Sequence, residues 1–127
     1  MEKLKNKTVL IVDDEERNVF ALRSYLEEIV GIKIETAANG KDAIEMMESK
    51  GRPDLILLDM MMPVMDGYET LEALKKMPAL KHIPVIAVTA KAMKGDKEKC
   101  MEAGAWDYIP KPVDMQLLID KLNRWIL

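Results

Sequence analysis

Five short apolar runs punctuate the chain: TVLIVD at 8–13, IKIETA at 32–37, LILLD at 55–59, PVIAVT at 84–89 and WDYI at 106–109. Unbroken aliphatic runs of four or five residues suit strands buried on both faces, and between them lie longer stretches with helical spacing. That alternation demands helices on both sides of a parallel sheet, so the expected fold is α/β, a (βα)5 unit with a doubly wound five-stranded sheet. At 127 residues the chain has the length of one ordinary domain and carries no Gly/Ser-rich or Pro-rich linker.

The helical stretches can be placed coarsely. The first carries Phe20, Leu22, Leu26 and Ile29 as its expected apolar stripe. Asn39-Gly40 marks a turn before KDAIEMMES, and Asp66 with Glu69 three residues on forms a candidate capping box for a helix over 67–77. A fourth helix is expected over 93–103, stopped by Gly104 in the left-handed conformation, and a fifth from about Asp114 to the end.

Composition removes several function classes. A formal charge of -3 gives no electrostatic reason for direct nucleic-acid binding. The lysines of KAMKGDKEKC alternate with Asp96, Glu98 and Glu102, as on a solvated helix face. No apolar run is long enough for membrane insertion, so a cytoplasmic protein is expected. Cys100 has no cysteine to pair with and reads as a structural core residue, while His82 has no partner at zinc-ligand spacing.

In open parallel sheets, sites form at the carboxyl ends of the strands near the point where strand order reverses. The first strand ends in Asp13 and Asp14, the third in Asp59, the fourth in Thr89, and Lys111 follows the fifth; the second ends only in Ala37 and Ala38. With strand order 2-1-3-4-5, the first and third strands are neighbours about 5 Å apart, so the three aspartates crowd together. Such a cluster needs a counter-charge, and a hard cation such as Mg2+ together with an ammonium group would supply it. Carboxylates, metal, hydroxyl and ammonium together make an electrostatic cradle for phosphoryl transfer, with Asp59 as the nucleophile. Each of these residues alone has an ordinary reading as a helix cap, a strand threonine or a solvated loop lysine; their coincidence at neighbouring strand ends carries the argument.

VLIVDDE, LILLDMMMPVMDG, VIAVTA and DYIPKPV, in that order and spacing, resemble the receiver domain of bacterial two-component response regulators across essentially the whole chain. The likeness is greatest to receivers of hybrid sensor histidine kinases. The resemblance implies the flavodoxin-like order 2-1-3-4-5 and a phosphoacceptor at Asp59. It implies Mg2+ held by Asp14, Asp59 and the backbone carbonyl of Met61, with Asp13 acting through water. Thr89 and Lys111 become the phosphoryl-contacting pair, Lys111-Pro112 a cis peptide, and Tyr108 a switch aromatic coupled to Thr89. The donor would be a phosphohistidine on a sensor histidine kinase or a histidine phosphotransfer protein. The output would be a changed face formed by the fourth helix, fifth strand and fifth helix, with a phosphorylation-dependent dimer as one form. Phosphotransfer and autodephosphorylation would be self-catalysed, without turnover of an external substrate, and the rate of hydrolysis would depend on Met61 and Lys91.

A single receiver domain over 1–127 with no output domain is expected. One of the three methionines Met60, Met61 and Met62 should pack inward, and Trp106 is a candidate partner contact beside the switch face. The alternative is a pseudo-receiver, a binding module that is never phosphorylated. A phosphohydrolase acting on outside substrates would want an acid where Met61 stands. A flavin or nucleotide binder would want a glycine-rich loop where DDEERN stands.

Overall fold

The computed structural model describes residues 2–90 and 95–126. Five strands, β1 (Thr8–Val12), β2 (Lys33–Ala37), β3 (Leu55–Asp59), β4 (Val85–Thr89) and β5 (Asp107–Pro110), form one parallel sheet in the order β2-β1-β3-β4-β5. The helices are α1 (Glu16–Tyr25), α2 (Gly40–Lys50), α3 (Gly67–Lys75), α4 (Asp96–Ala103) and α5 (Met115–Trp125). Met93, the expected start of the fourth helix, lies outside the described residues, as does Lys91.

The apolar strands divide by the two-residue period of a strand. Val9 and Ile11 of β1 pack with Leu22 and Leu26 behind α1 and with Leu118 and Leu122 of α5. Leu10 and Val12 point to the other side, among Ala43 and Met47 of α2, Leu71 and Leu74 of α3, and Cys100 of α4. Two helices therefore cover one face and three the other. Every residue of β3 and β4 is buried, which is why these runs show no polar alternation.

The first helix departs from its expected stripe. Leu22 and Leu26 are buried, but Phe20 is 72% exposed and Ile29 58% exposed. Phe20 and Leu22 are two residues apart and cannot share a helix face; Val19, three residues before Leu22, packs against the core instead. Beyond Tyr25 the chain continues as a π-helical turn, Leu26–Val30, which ends at Gly31 with φ 83°. The wider turn advances the register by about one residue, so Val30 enters the core and Ile29 leaves it.

Caps follow the sequence. Asp66 Oδ1 accepts from Glu69 N at 2.9 Å, while Asp66 N donates to Glu69 Oε1 at 3.1 Å. Asp66→Ala is expected to cost about 1 kcal/mol, read as a lower urea midpoint at unchanged m-value; an unmoved midpoint would show that α3 does not depend on this box. Gly104 closes α4 at φ 119°, where any Cβ would also meet Lys75 Cε at 2.3 Å. Asn39 and Asp114 cap α2 and α5 by accepting from Asp42 N and Leu117 N.

At the start of β5, buried Asp107 accepts from Lys121 Nζ at 2.7 Å, Trp125 Nε1 at 2.8 Å and its neighbour Tyr108 N at 2.8 Å. Burial alone would raise its pKa, but the bonds from Lys121, Trp125 and Tyr108 outweigh it and hold the carboxyl below its usual value. These bonds fasten α5 to the strand that leads to Lys111.

Candidate functional site

Parallel register brings the polar strand ends together. Val12 pairs with Leu58, so Asp13 and Asp59 emerge side by side, and Asp59 in turn sits beside Val88, one residue before Thr89. Thr89 pairs with Pro110, and Lys111 N donates to Thr89 O at 2.8 Å, which anchors the base of the lysine. Asp13, Asp59 and Thr89 are 5%, 4% and 4% exposed. An acid can reach this rim because the strand stops here, at Asp59.

The carboxylates of Asp13, Asp14 and Asp59 present ligand atoms within 4.8 Å of one another. Lys111 Nζ bridges two of them, at 3.3 Å from Asp13 Oδ2 and 3.5 Å from Asp59 Oδ2. Asp59 Oδ1 accepts from Met61 N at 3.1 Å. Burial, reinforced by the charge of Asp13, pushes the Asp59 carboxyl up to about 6 against the opposing bond from Met61 and charge of Lys111. For Lys111 burial opposes the ammonium form, yet the charges of Asp13 and Asp59 prevail and hold its pKa above the usual value. The ammonium therefore stays charged and compensates the acids only in part.

The residues present fit a hard divalent cation. Three carboxylates converge with one ammonium between two of them, and exposed Asp14 makes no hydrogen bond or ion pair among the described residues. An oxygen-rich, partly solvated cluster of this kind suits Mg2+ rather than a soft metal.

Other expected residues fall less uniformly. Met60 and Met62 are both buried, at 1% and 8% exposed, and only Met61 is open at 55%; two methionines pack inward, where one was expected. Both join the core cluster on the α2–α3–α4 side of the sheet, and Gly67 lies so close to Met60 that a Cβ there would stand 2.5 Å from its Sδ. Tyr108 is half-buried against the α2–α3–α4 side of the core, and burial raises its pKa. The Lys111-Pro112 peptide is cis. Trp106 lies at the opposite end of the sheet from Asp59, its N–H bonded to Val85 O at the start of β4 and its ring edge-on to Trp125 at 5.5 Å. Cys100 is buried in the core, which pushes its thiol up and makes it a poor nucleophile.

One participant was invisible to strand-end reasoning. Asn18 Nδ2 donates to Asp13 Oδ2 at 2.6 Å from the first turn of α1. Its only sequence signal is a polar residue five positions after Asp13, on a helix face that must pass near the strand ends. A cleft of about 330 Å³ opens next to it, between α1 and the end of β2, lined by Asp13, Asp14, Val19 and Phe20.

The family model described as "Response regulator receiver domain" matches residues 9–123, nearly the whole chain. The chain belongs to the response regulator receiver family. The polar-differentiation response regulator DivK of Brucella anthropi is 39% identical over 120 residues, covering 94% of this chain and 96% of that protein. Among solved structures, the receiver domain of sensor histidine kinase PA1611 from Pseudomonas aeruginosa PAO1, with a magnesium ion coordinated in its active-site cleft, superposes with a TM-score of 0.86. It is 34% identical, over 95% of this chain and 98% of that one. The receiver domain of the Saccharomyces cerevisiae response regulator Ssk1, crystallised with the histidine phosphotransfer protein Ypd1, gives 0.84 at 28% identity, over 97% of this receiver and 90% of that chain. The fold and its strand order are those of a receiver, as the sequence implied. Among the described residues of this receiver, no helix is long and apolar enough to cross a membrane.

Proposed function

We propose that this receiver accepts a phosphoryl group on Asp59 from a phosphohistidine, in a reaction that requires Mg2+, and relays the change to the surface formed by α4, β5 and α5. The observation that carries the reading is the Lys111 ammonium between Asp13 and Asp59, with Asp59 buried and its pKa near 6. A carboxylate of that basicity is ionised at neutral pH and is a better nucleophile than an ordinary surface aspartate.

Asp14 and Asp59, with the backbone carbonyl of Met61, would hold Mg2+, and Asp13 would act through water. Bound there, the cation would neutralise charge on the phosphoryl oxygens. An oxygen of Asp59 forms the new O–P bond as the N–P bond of phosphohistidine breaks, and the electron pair leaves on the imidazole nitrogen, which takes up a proton. Lys111 turns from the carboxylates to a phosphoryl oxygen, and the Thr89 hydroxyl donates to another. Drawing Thr89 inward makes room for Tyr108, which biases a pre-existing equilibrium of the α4–β5–α5 face.

A sensor histidine kinase or a histidine phosphotransfer protein is the proposed donor. Support comes from the Ypd1 complex of Ssk1 and from the kinase-borne receiver of PA1611. Hydrolysis of the aspartyl phosphate would be slow to the extent that Met61, exposed and without a polar side-chain group, cannot orient a water.

The test is incubation with acetyl phosphate, with and without Mg2+, followed by intact-mass measurement. One phosphoryl group per chain, present only with Mg2+ and lost in alkali, is expected. A wild-type chain that stays unlabelled with acetyl phosphate and with a phosphorylated phosphotransfer protein would establish the pseudo-receiver reading instead.

A further inference from the structure

The acid cluster poses a problem of choice, because three converging carboxylates suit Ca2+ at least as well as Mg2+. Ca2+ accepts six to eight oxygen ligands in loose geometry, whereas Mg2+ demands an octahedron and retains several of its waters. Something must limit how many carboxylate oxygens touch the ion directly.

The hydrogen bonds of Asp13 supply that limit. Its Oδ1 accepts from Glu15 N at 2.9 Å, and its Oδ2 accepts from Asn18 Nδ2 at 2.6 Å and lies 3.3 Å from Lys111 Nζ. A carboxylate offers about four acceptor positions, so the protein's own donors occupy about three of them. What remains is one position on Oδ1, enough for a water or a single bond to an ion, but not for the bidentate grip through both oxygens that a carboxylate often gives Ca2+. Asp14 differs, being exposed and without a side-chain partner among the described residues. The Asn18 amide must face Asp13 with its NH2, since an amide oxygen at that separation from a carboxylate oxygen would be repelled.

Of the donors, Asn18 alone is dispensable to the rest of the site. The Glu15 amide belongs to the main chain, and Lys111 is shared with Asp59 at 3.5 Å and is called away when the phosphoryl group arrives. The Asn18 side chain bonds to Asp13 and to no other side chain among the described residues. Resting on the Mg2+-dependent reading above, we propose that Asn18 sets the cation preference of the site. It acts through Asp13 as a positioning residue: by occupying Oδ2 it keeps Asp13 from gripping the ion through both oxygens, and so favours a cation that keeps its waters.

The test is calorimetric titration of Mg2+ and of Ca2+ into wild type, Asn18→Ala and Asn18→Leu, the last of similar volume but without a donor. In both variants the ratio of the Ca2+ dissociation constant to the Mg2+ dissociation constant should fall about fivefold, the equivalent of one ordinary hydrogen bond. A general loss of packing would weaken both ions together and leave that ratio in place. An unchanged ratio in both variants, with wild type binding Mg2+, overturns the role of Asn18 and leaves the phosphoacceptor reading intact. A wild-type chain that binds neither ion overturns both.

Discussion

Asp59→Asn is expected to abolish phosphoryl uptake from acetyl phosphate and, in the absence of divalent cations, to make the protein more stable at pH 7.5 by about 1–3 kcal/mol. Loss of uptake follows from loss of the nucleophile. The gain in stability follows from the raised carboxyl, at about 6 in the folded chain against 3.8 for an ordinary aspartate. A raised acid binds its proton more tightly when folded, so its contribution is favourable at pH values below 3.8 and is lost as pH rises through about 6. Above that, an ionised Asp59 is held beside Asp13 in a buried site that favours its neutral form. The amide carries no such charge and leaves Lys111 paired with Asp13.

The advantage of the variant should therefore shrink towards zero as pH falls from about 6 to about 4, and Mg2+ should reduce it by stabilising only the wild type. Urea unfolding in EDTA across that range measures it. A pH-independent difference, or none, would show that Asp59 is not held at a cost. This is the usual tension between stability and a reactive group, since a well-compensated Asp59 would be a weaker nucleophile.

The second large effect is expected at Gly67. A Cβ there would stand 2.5 Å from Met60 Sδ, 2.6 Å from Met60 Cα and 3.0 Å from Asp59 O. The thioether could swing aside, but the main-chain atoms could not without moving the end of β3. Gly67→Ala should cost about 1–3 kcal/mol, and Gly67→Val more. Because the atoms that yield belong to Asp59 and the residue after it, the folded variant should also take up phosphoryl groups more slowly. Comparing uptake per folded molecule, from urea unfolding and mass measurement on one preparation, separates the two effects. A Gly67→Ala chain with wild-type stability and uptake would mean that the loop relaxes without disturbing Asp59.

Much of this architecture could be read without coordinates, because it depends on periodicity. Aliphatic runs such as LILL and VIAV required strands covered on both faces, and each ended on a polar residue at a rim where parallel sheets leave their strand ends open. Asp66 with Glu69, and Gly104, announced their caps for local reasons, since the groups involved are a few residues apart. The gathering of Asp13, Asp59 and Lys111 followed once strand order was supplied.

What local pattern does not contain is distance between elements and the exact turn of a helix. The π turn that exposes Ile29 and buries Val30 changes the register within a stretch whose composition is ordinary for an α-helix. Asn18 on Asp13, and Lys121 and Trp125 on Asp107, join residues whose proximity arises only when a helix docks on a strand. The pKa of Asp59 depends on how deeply the strand end is buried and on which charges surround it. Sequence by itself determined the fold class and brought the acids to one rim, because hydrophobic period and strand ends are properties of the chain. Only the tertiary structure decided how Asp13 and Asp59 are hydrogen-bonded, charged and restrained, because solvation and pairing are properties of the space between elements.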